Sequence, residues 1–98
     1  RPENIDFVEA DGNYVKLHTP GGAHLLRETL TGLEEQLPAE RFMRLHRAVQ
    51  VAKAALAGFE KVAGDDAEAY GWALLRGVPE KLPVSRRQWA PAKAALTG

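Results

Sequence analysis

The clearest chemistry in this sequence is the binding of a polyanion by arginines at the ends of predicted strands. Arg86 and Arg87 directly follow Ser85, where a late strand ends. Arg47 lies where two middle strands change direction, and Asn13 occupies the tip of an earlier turn. A guanidinium group presents a rigid fork of donors that fits a phosphate or the N7/O6 edge of guanine, and an asparagine amide fits an adenine edge. These residues predict a binding surface made of loops that a sheet holds in place.

The charge pattern favours a local binding patch over a general polycation. Thirteen basic and thirteen acidic residues give the 98-residue chain a formal net charge of zero. From Lys81 to the end of the sequence, however, there are four basic side chains and no acidic one. Local patches of this kind matter more than net charge for the binding of a polyanion.

Two structural alternatives stay open for these polar side chains. Arg44 and Arg47 could form ion pairs within the protein instead of binding a ligand. Their candidate partners are Glu40 and Glu60. Asn13 could simply supply left-handed turn geometry, since asparagine tolerates a positive φ better than most residues.

The residue types that catalysis or metal binding would need are poorly placed. Ser85 is the only serine, its neighbours are arginines rather than a histidine base, and cysteine is absent. His18 and His24 are expected nearly opposite each other across a hairpin as a solvent-facing pair, and two ligands do not make a zinc site. We therefore predict that the chain is not an enzyme and has no metal site and no cofactor. No apolar run approaches the ~20 residues that cross a bilayer, so no membrane segment is expected.

Alternating residue patterns predict a β-meander in the first third of the chain, followed by a short helix. An Asp-Gly turn separates the first two strands. Thr31 and Glu34 have the spacing of a capping box, which predicts a helix near residues 31–37 that Pro38 ends. The three strands are predicted at residues 5–10, 14–19 and 23–28.

Short strands and a C-terminal helical turn are predicted for the rest of the chain. The alanine-rich stretch 52–57 favours a helix by propensity alone. Residues 88–96 also have helical composition, and Pro91 is tolerable there only near the first turn of a helix. Residues 64–66 are predicted to form the tip of a hairpin. The further strands are predicted at residues 42–46, 49–51, 59–62, 70–75 and 82–84.

Three blocks of this sequence form an ordered set of motifs. The first runs from Ile5 to Val15 and reads Ile-Asp-Phe-Val-Glu-Ala-Asp-Gly-Asn-Tyr-Val. The second begins at Thr29 and ends in Arg-Phe-Met-Arg-Leu-His-Arg, whose last residue is Arg47. The third is Leu-Pro-Val-Ser-Arg-Arg, which ends at Arg87. In this order and at this spacing, the blocks resemble the LytTR-type DNA-binding domain of bacterial response regulators over nearly the whole chain.

The resemblance implies a mainly β fold in which small antiparallel sheets lie side by side in an elongated domain, with a short helix. It implies sequence-specific binding of double-stranded DNA by loops that enter major grooves. The domain would be the output module of a cytoplasmic bacterial transcriptional regulator, of the two-component kind. A receiver or other regulatory domain is then expected in the parent protein.

Family positions carry over to this chain residue by residue. The asparagine-tyrosine turn corresponds to Asn13 and Tyr14, and the residue after the histidine of the second block corresponds to Arg47. The arginine after the late strand corresponds to Arg87, with two neighbours beside it. Lys53, just beyond the middle strand, is not a family position and is added because it could restore a phosphate contact. The predicted DNA-binding set is Asn13, Tyr14, Arg47, Lys53, Ser85, Arg86 and Arg87.

The sequence also departs from the family pattern. Ala48 and Ala52 replace a serine and an asparagine that the family usually has, so an alternative is a protein-interaction module of the same fold that has lost DNA binding. A single domain is predicted over residues 1–98, lacking the first one or two strands of the family. If those strands pair with the strand at 5–10, that strand is an unpaired edge, and self-association or a homodimer is expected.

Overall fold

A five-stranded antiparallel sheet is formed by the first half of the chain. The computed structural model describes residues 4–61 and 70–97. The elements are β1 (Phe7–Asp11), β2 (Tyr14–Thr19), β3 (Gly22–Leu26), α1 (Leu30–Glu34), β4 (Phe42–His46) and β5 (Val49–Ala52). The strands lie in the order β3-β2-β1-β5-β4. Phe7 and Val8 are neighbours on β1 and point to opposite faces, yet both are almost fully buried. Both faces of the sheet are therefore covered at this central strand.

A three-stranded antiparallel sheet and a helix follow. The elements are β6 (Leu56–Lys61), β7 (Gly71–Leu75), β8 (Val78–Val84) and α2 (Arg86–Thr97). A 3-10 turn at Lys53–Ala55 leads from β5 into β6. The strand order is β6-β7-β8, which makes β8 an edge strand. Pro79 and Pro83 lie in β8, and an edge is where a strand tolerates proline, because no neighbour needs the missing N–H.

Two separate cores cover the two faces of the larger sheet. On one face α1 packs over β1 and β5, and the buried residues there are Ile5, Val8, Val15, Leu30, Leu33, Leu37 and Phe42. The other face packs against the smaller sheet and α2. Its buried residues include Phe7, Leu45, Val51, Leu56, Ala73, Val84 and Ala92. The second core therefore fixes the smaller sheet and α2 against β4 and β5.

The mainly β prediction is confirmed, but the first helix is capped at a different residue. Thr29, not Thr31, is the N-cap, and its Oγ1 accepts a hydrogen bond from Gly32 N–H at 3.0 Å. The helix ends at Glu34 instead of continuing through residue 37. Burial of Leu30 and Leu33 decides the register, because a helix that starts at Thr29 turns both leucines into the core.

The alanine-rich stretches behave differently from each other. In 52–57 only the 3-10 turn forms, because the residues before and after it continue into paired strands. The C-terminal segment does form a helix, and α2 has twelve residues rather than a single turn. Pro91 is its sixth residue, beyond the first turn, so the Arg87 carbonyl lacks its usual partner four residues on. The hairpin tip predicted at 64–66 lies outside the described residues.

The expected unpaired edge at the first strand is wrong. β1 is the central strand of its sheet and pairs with β2 on one side and β5 on the other. The edges of this sheet are β3 and β4. Any self-association of this chain would therefore have to use another surface.

Candidate nucleic-acid interface

Two predicted DNA-contacting turns lie side by side at one end of the larger sheet. Strands β1 and β5 are antiparallel, with Glu9 paired to Val49. One residue on, Ala10 N–H donates to the Ala48 carbonyl at 2.8 Å. This bond joins the end of β1 to the β4–β5 turn. The β1–β2 turn with Asn13 therefore lies next to the turn that carries Arg47.

The third predicted region is attached to the same end of the sheet. Ser85 N–H donates to the Leu45 carbonyl at 2.8 Å, which ties the β8–α2 junction to the last part of β4. Arg47 follows Leu45 by two residues, and Arg87 follows Ser85 by two residues. Two arginines that are forty residues apart in sequence are thus brought to one end of the protein.

The start of α2 is held by a cap and by an aromatic anchor. Ser85 is used structurally, because its Oγ accepts a hydrogen bond from Gln88 N–H at 3.3 Å. Trp89 lies directly over Gly71, so closely that a Cβ on that glycine would overlap the indole ring. Ala92, one turn further on, is completely buried. These contacts fix the position from which Arg87 projects.

Three predicted side chains at this end are exposed and available to a ligand. Asn13, Arg47 and Arg87 form no side-chain hydrogen bond or ion pair with any other described residue. The left-handed residue of the β1–β2 turn is Gly12, with φ +64°, while Asn13 has a negative φ. The alternative in which Asn13 supplies the left-handed geometry is therefore wrong. Tyr14, the first residue of β2, is also exposed, at 45%.

The expected ion pairs of the middle arginines are wrong as well. Arg44 pairs with Glu34, at 2.6 Å between Nη2 and Oε1, and not with the predicted partners. Glu60 pairs instead with Lys81, at 3.0 Å. Arg47 pairs with neither predicted carboxylate, so its guanidinium is not used within the described part of the fold.

Arg44 braces the turn that carries Arg47, a role that the sequence reasoning missed. Its Nη1 donates to the Arg47 carbonyl at 3.1 Å, and its Nη2 donates to Oε1 of Glu34, the last residue of α1. The other Glu34 oxygen accepts from Gln50 Nε2 at 3.4 Å. Arg44 therefore connects α1 to the tip of the β4–β5 hairpin. The available signal was a charged residue in the middle of an apolar strand, which needs a partner when half-buried.

Lys53 is separated from the other predicted site residues. It follows β5 at the end opposite to Arg47, where its N–H donates to the Arg41 carbonyl. The four residues of β5 alone span about 13 Å, at about 3.3 Å per residue. A contact between Lys53 and a ligand at the Arg47 end would need a ligand that reaches along the sheet.

Arg86 differs from Arg87 because it faces an aromatic ring. Its Cζ lies 5.9 Å from the centre of the Tyr70 ring, which Lys61 Nζ also approaches, at 4.7 Å. The pKa of Tyr70 lies below its usual value, chiefly because of the hydrogen bond and the charge of Lys61. The charges of Arg86 and Lys93 lower it further.

The predicted histidine pair does not form. Across the β2–β3 hairpin His18 is opposite Ala23, and His24 is opposite Leu17, so the two imidazoles lie on opposite faces of the sheet. His18 stacks on Phe7, with ring centres 4.0 Å apart, and its Nε2 lies 2.9 Å from a Glu9 oxygen. Within residues 4–61 and 70–97, no three His, Asp or Glu side chains are grouped as a metal site would need.

Comparison with known proteins gives a family match over almost the whole chain. A family model described as the LytTr DNA-binding domain matches residues 1–97. The chain is 32% identical over 85 residues to the CO-responsive transcriptional regulator RcoM of Rhodospirillum rubrum, covering 86% of this chain and 34% of that protein. It is 35% identical over 95 residues to the positive alginate biosynthesis regulatory protein of Pseudomonas aeruginosa, covering 96% of this chain and 36% of that protein. The chain thus spans about a third of the length of these curated relatives.

A solved structure has the same fold. It is a LytTr DNA-binding domain from Bacillus cereus, with a TM-score of 0.77 and 18% sequence identity, covering 99% of this chain and 84% of that one. The likeness at this identity concerns the fold. In the described part of the chain, neither helix has the length and apolar character needed to cross a membrane.

Proposed function

Because the chain belongs to the LytTR DNA-binding domain family, we propose that it recognises a specific sequence in double-stranded DNA through the surface formed by its three turns. The observation that carries this proposal is the convergence of Asn13, Arg47 and Arg87 at one end of the protein, with no partner among the described residues. An arginine without an internal partner can give both of its donor edges to a phosphate or a guanine.

Recognition in this proposal divides between the two arginines. Arg87 leaves the first turn of α2, where the Ser85 cap and the Trp89 anchor fix the backbone, and we assign it a base edge in the major groove. Arg47 projects from a hairpin tip whose carbonyl is held by Arg44, and we assign it a phosphate. Asn13, in the adjacent turn, would supply a further polar contact to a base edge or a phosphate. The sheets keep these contacts at a constant separation.

The biological setting belongs to the same proposal. Both curated relatives are named as regulators, one of them as a transcriptional regulator, and the matched part is 34% and 36% of their lengths. We therefore propose that this domain is the output module of a bacterial transcriptional regulator, acting in the cytoplasm. A receiver or another regulatory domain in the parent protein would control it, with dimerisation as one route of control.

One observation favours the alternative of a protein-interaction module. Strand β3 is an edge strand whose residues are all exposed, including Leu25 at 59% and Leu26 at 44%. Exposed leucines on an unpaired edge are suited to a protein partner. Under this alternative the arginine surface would contribute little to function, and DNA would bind only weakly and without sequence preference.

The two functions are separated by a selection followed by a titration. Duplexes that the domain retains from a random pool give a selected sequence, and scrambling that sequence gives the control duplex. Fluorescence anisotropy at two or more salt concentrations then measures both affinities. The proposed function predicts a steep fall of affinity with salt and a preference of at least ~10³-fold for the selected duplex. Equal and weak binding of both duplexes would favour the protein-interaction module.

A further inference from the structure

A second group of cations lies at the same end of the smaller sheet as the β8–α2 junction. Lys61 at the end of β6 is paired with Gly71, and Gly71 is paired with Val84 at the end of β8. Tyr70 N–H also donates to the Val84 carbonyl, at 3.0 Å. We call Lys61, Tyr70 and Arg86 the Tyr70 cluster. Its members lie along the end of the smaller sheet, from Lys61 on β6 to Arg86, which is next to Arg87 in sequence.

The Tyr70 cluster is organised around one aromatic ring. Lys61 and Arg86 both lie over Tyr70, at 4.7 Å and 5.9 Å from the ring centre. Tyr70 in turn contacts Trp89 edge-on, with ring centres 5.6 Å apart. Since Trp89 is seated over Gly71, the ring that carries the two cations is attached to the rigid part of the fold.

The positive charge of this cluster is not neutralised by the described residues around it. Lys61 and Arg86 form no ion pair with any described carboxylate. Glu60, the acid next to Lys61 in sequence, is paired with Lys81. The pKa of Tyr70 is lowered first by the hydrogen bond with Lys61 and then by the positive charges of Lys61, Arg86 and Lys93. A surface of this kind attracts an anion.

We propose that the Tyr70 cluster is a second phosphate-binding surface, which contacts the DNA backbone beside the groove that Arg87 enters. This inference rests on the proposed function. Two strand spacings of about 4.8 Å separate β6 from β8, so Lys61 lies about 10 Å from the end of β8. A duplex carries about one negative charge per 1.7 Å of its axis. A backbone held at Arg87 therefore has further phosphates within reach of Lys61.

The test replaces Lys61 by glutamine and measures the salt dependence of DNA affinity. Arg41→Gln is the matched control, because it also removes one exposed positive charge and lies at the end of β4 opposite to Arg47. Lys61→Gln should lower the salt slope by about one unit and weaken binding roughly fivefold near 0.15 M salt. The selected and scrambled duplexes should weaken by the same factor, because a phosphate contact carries no sequence information. Arg41→Gln should change neither quantity.

A second pair of variants tests the role of the ring. Tyr70→Leu removes the platform for both cations and should reproduce the loss seen with Lys61→Gln, while Tyr70→Phe keeps the ring and should retain most of the affinity. If Lys61→Gln behaves like Arg41→Gln while the unmodified domain still prefers its selected duplex, the phosphate surface is refuted and the proposed function survives. If Lys61→Gln changes the preference between duplexes, the contact is to a base and the inference is also refuted. If the unmodified domain binds neither duplex, both proposals are refuted. Salt-dependent binding to an acidic protein, without binding to DNA, would also refute both.

Discussion

Replacing Arg44 by methionine should weaken DNA recognition although Arg44 is not proposed to touch DNA. The methionine keeps most of the apolar stem but removes the guanidinium that joins Glu34 to the Arg47 carbonyl. The hairpin tip then loses its brace, and Arg47 must be ordered when DNA binds. We expect affinity for the selected and the scrambled duplex to fall by the same factor, because Arg47 is assigned a phosphate contact and such a contact carries no sequence information.

The size of the stability loss follows from the two interactions removed. A hydrogen bond from a charged donor to a carbonyl contributes about 1.5 kcal/mol. The Arg44–Glu34 pair is discounted to about 0.5 kcal/mol, because the Glu34 side chain is 39% exposed and solvent screens the pair. The sum of about 2 kcal/mol corresponds to a fall in Tm of about 8–16 °C for a domain of this size.

A thermal melt and the anisotropy titration measure the two effects of Arg44→Met. Glu34→Gln is the informative control, because it removes the charge while Arg44 can still donate to the Arg47 carbonyl. This control should lower Tm by less than half as much and leave most of the DNA affinity intact. The reasoning fails if Arg44→Met leaves both Tm and DNA affinity unchanged, or if Glu34→Gln weakens DNA binding as strongly.

Three further predictions concern the parts that support the interface. Gly71→Ala should destabilise the fold by about 1–3 kcal/mol in a thermal melt, because its Cβ would enter the overlying indole; Gly58→Ala, whose Cβ would only reach ordinary contact distance, is the control. Ser85→Ala should cost about 1 kcal/mol through loss of the α2 cap and should weaken DNA binding, while Ser85→Asp restores the cap. Lys61→Gln should raise the pKa of Tyr70 toward its usual value, as followed by phenolate absorbance, since Lys61 is the main cause of its lowering.

Each of these predictions has an outcome that would contradict it. Equal melting temperatures for the two glycine variants would mean that the indole moves aside at no cost. An unchanged Tm in the Ser85→Ala variant would mean that the Ser85 side chain does not stabilise the start of α2. An unchanged Tyr70 titration in Lys61→Gln would mean that other charges dominate that ring.

Local patterns were sufficient to predict the strands and turns that carry the proposed site. The middle strands were predicted at 42–46 and 49–51, and β4 and β5 confirm both within one residue. Asp-Gly chemistry likewise identified the β1–β2 turn, and Gly12 has the expected positive φ. The resemblance to LytTR domains, which three sequence blocks indicated, is confirmed by the family match over residues 1–97.

Contacts between distant segments could not be predicted from local patterns. Thr29 and Thr31 both satisfy the chemistry of a helix cap, and only the burial of the following leucines selects Thr29. The strand register that separates His18 from His24 depends on the length of the hairpin turn, and a shift by one residue reverses the face. The fold brings most of the seven predicted DNA-binding residues to one end of the protein. Their contacts with DNA stay predictions, because a shared position in the fold does not show a contact.

The Tyr70 cluster likewise could not be predicted from local sequence patterns. Lys61, Tyr70 and Arg86 come from β6, the start of β7 and α2, and sheet pairing alone brings them together. No short motif contains them. A sequence reading could identify Arg86 as basic, but its aromatic partner depends on the three-dimensional pairing of β7 with β8.

The most direct test of the central claim compares three arginine variants on the selected and scrambled duplexes by fluorescence anisotropy. Arg47→Ala and Arg87→Ala remove side chains at the proposed interface, and Arg41→Ala removes an exposed arginine at the opposite end of β4. Arg76 is less suited as a control, because its Nη2 donates to the Leu56 carbonyl at 3.2 Å. We expect Arg87→Ala to cost about 1–3 kcal/mol on the selected duplex and to relax preference at one base pair. Arg47→Ala should weaken both duplexes alike and lower the salt slope by about one unit, and Arg41→Ala should change little. Equal losses from all three variants would mean that binding is diffuse electrostatic attraction, and the proposed recognition surface would be wrong.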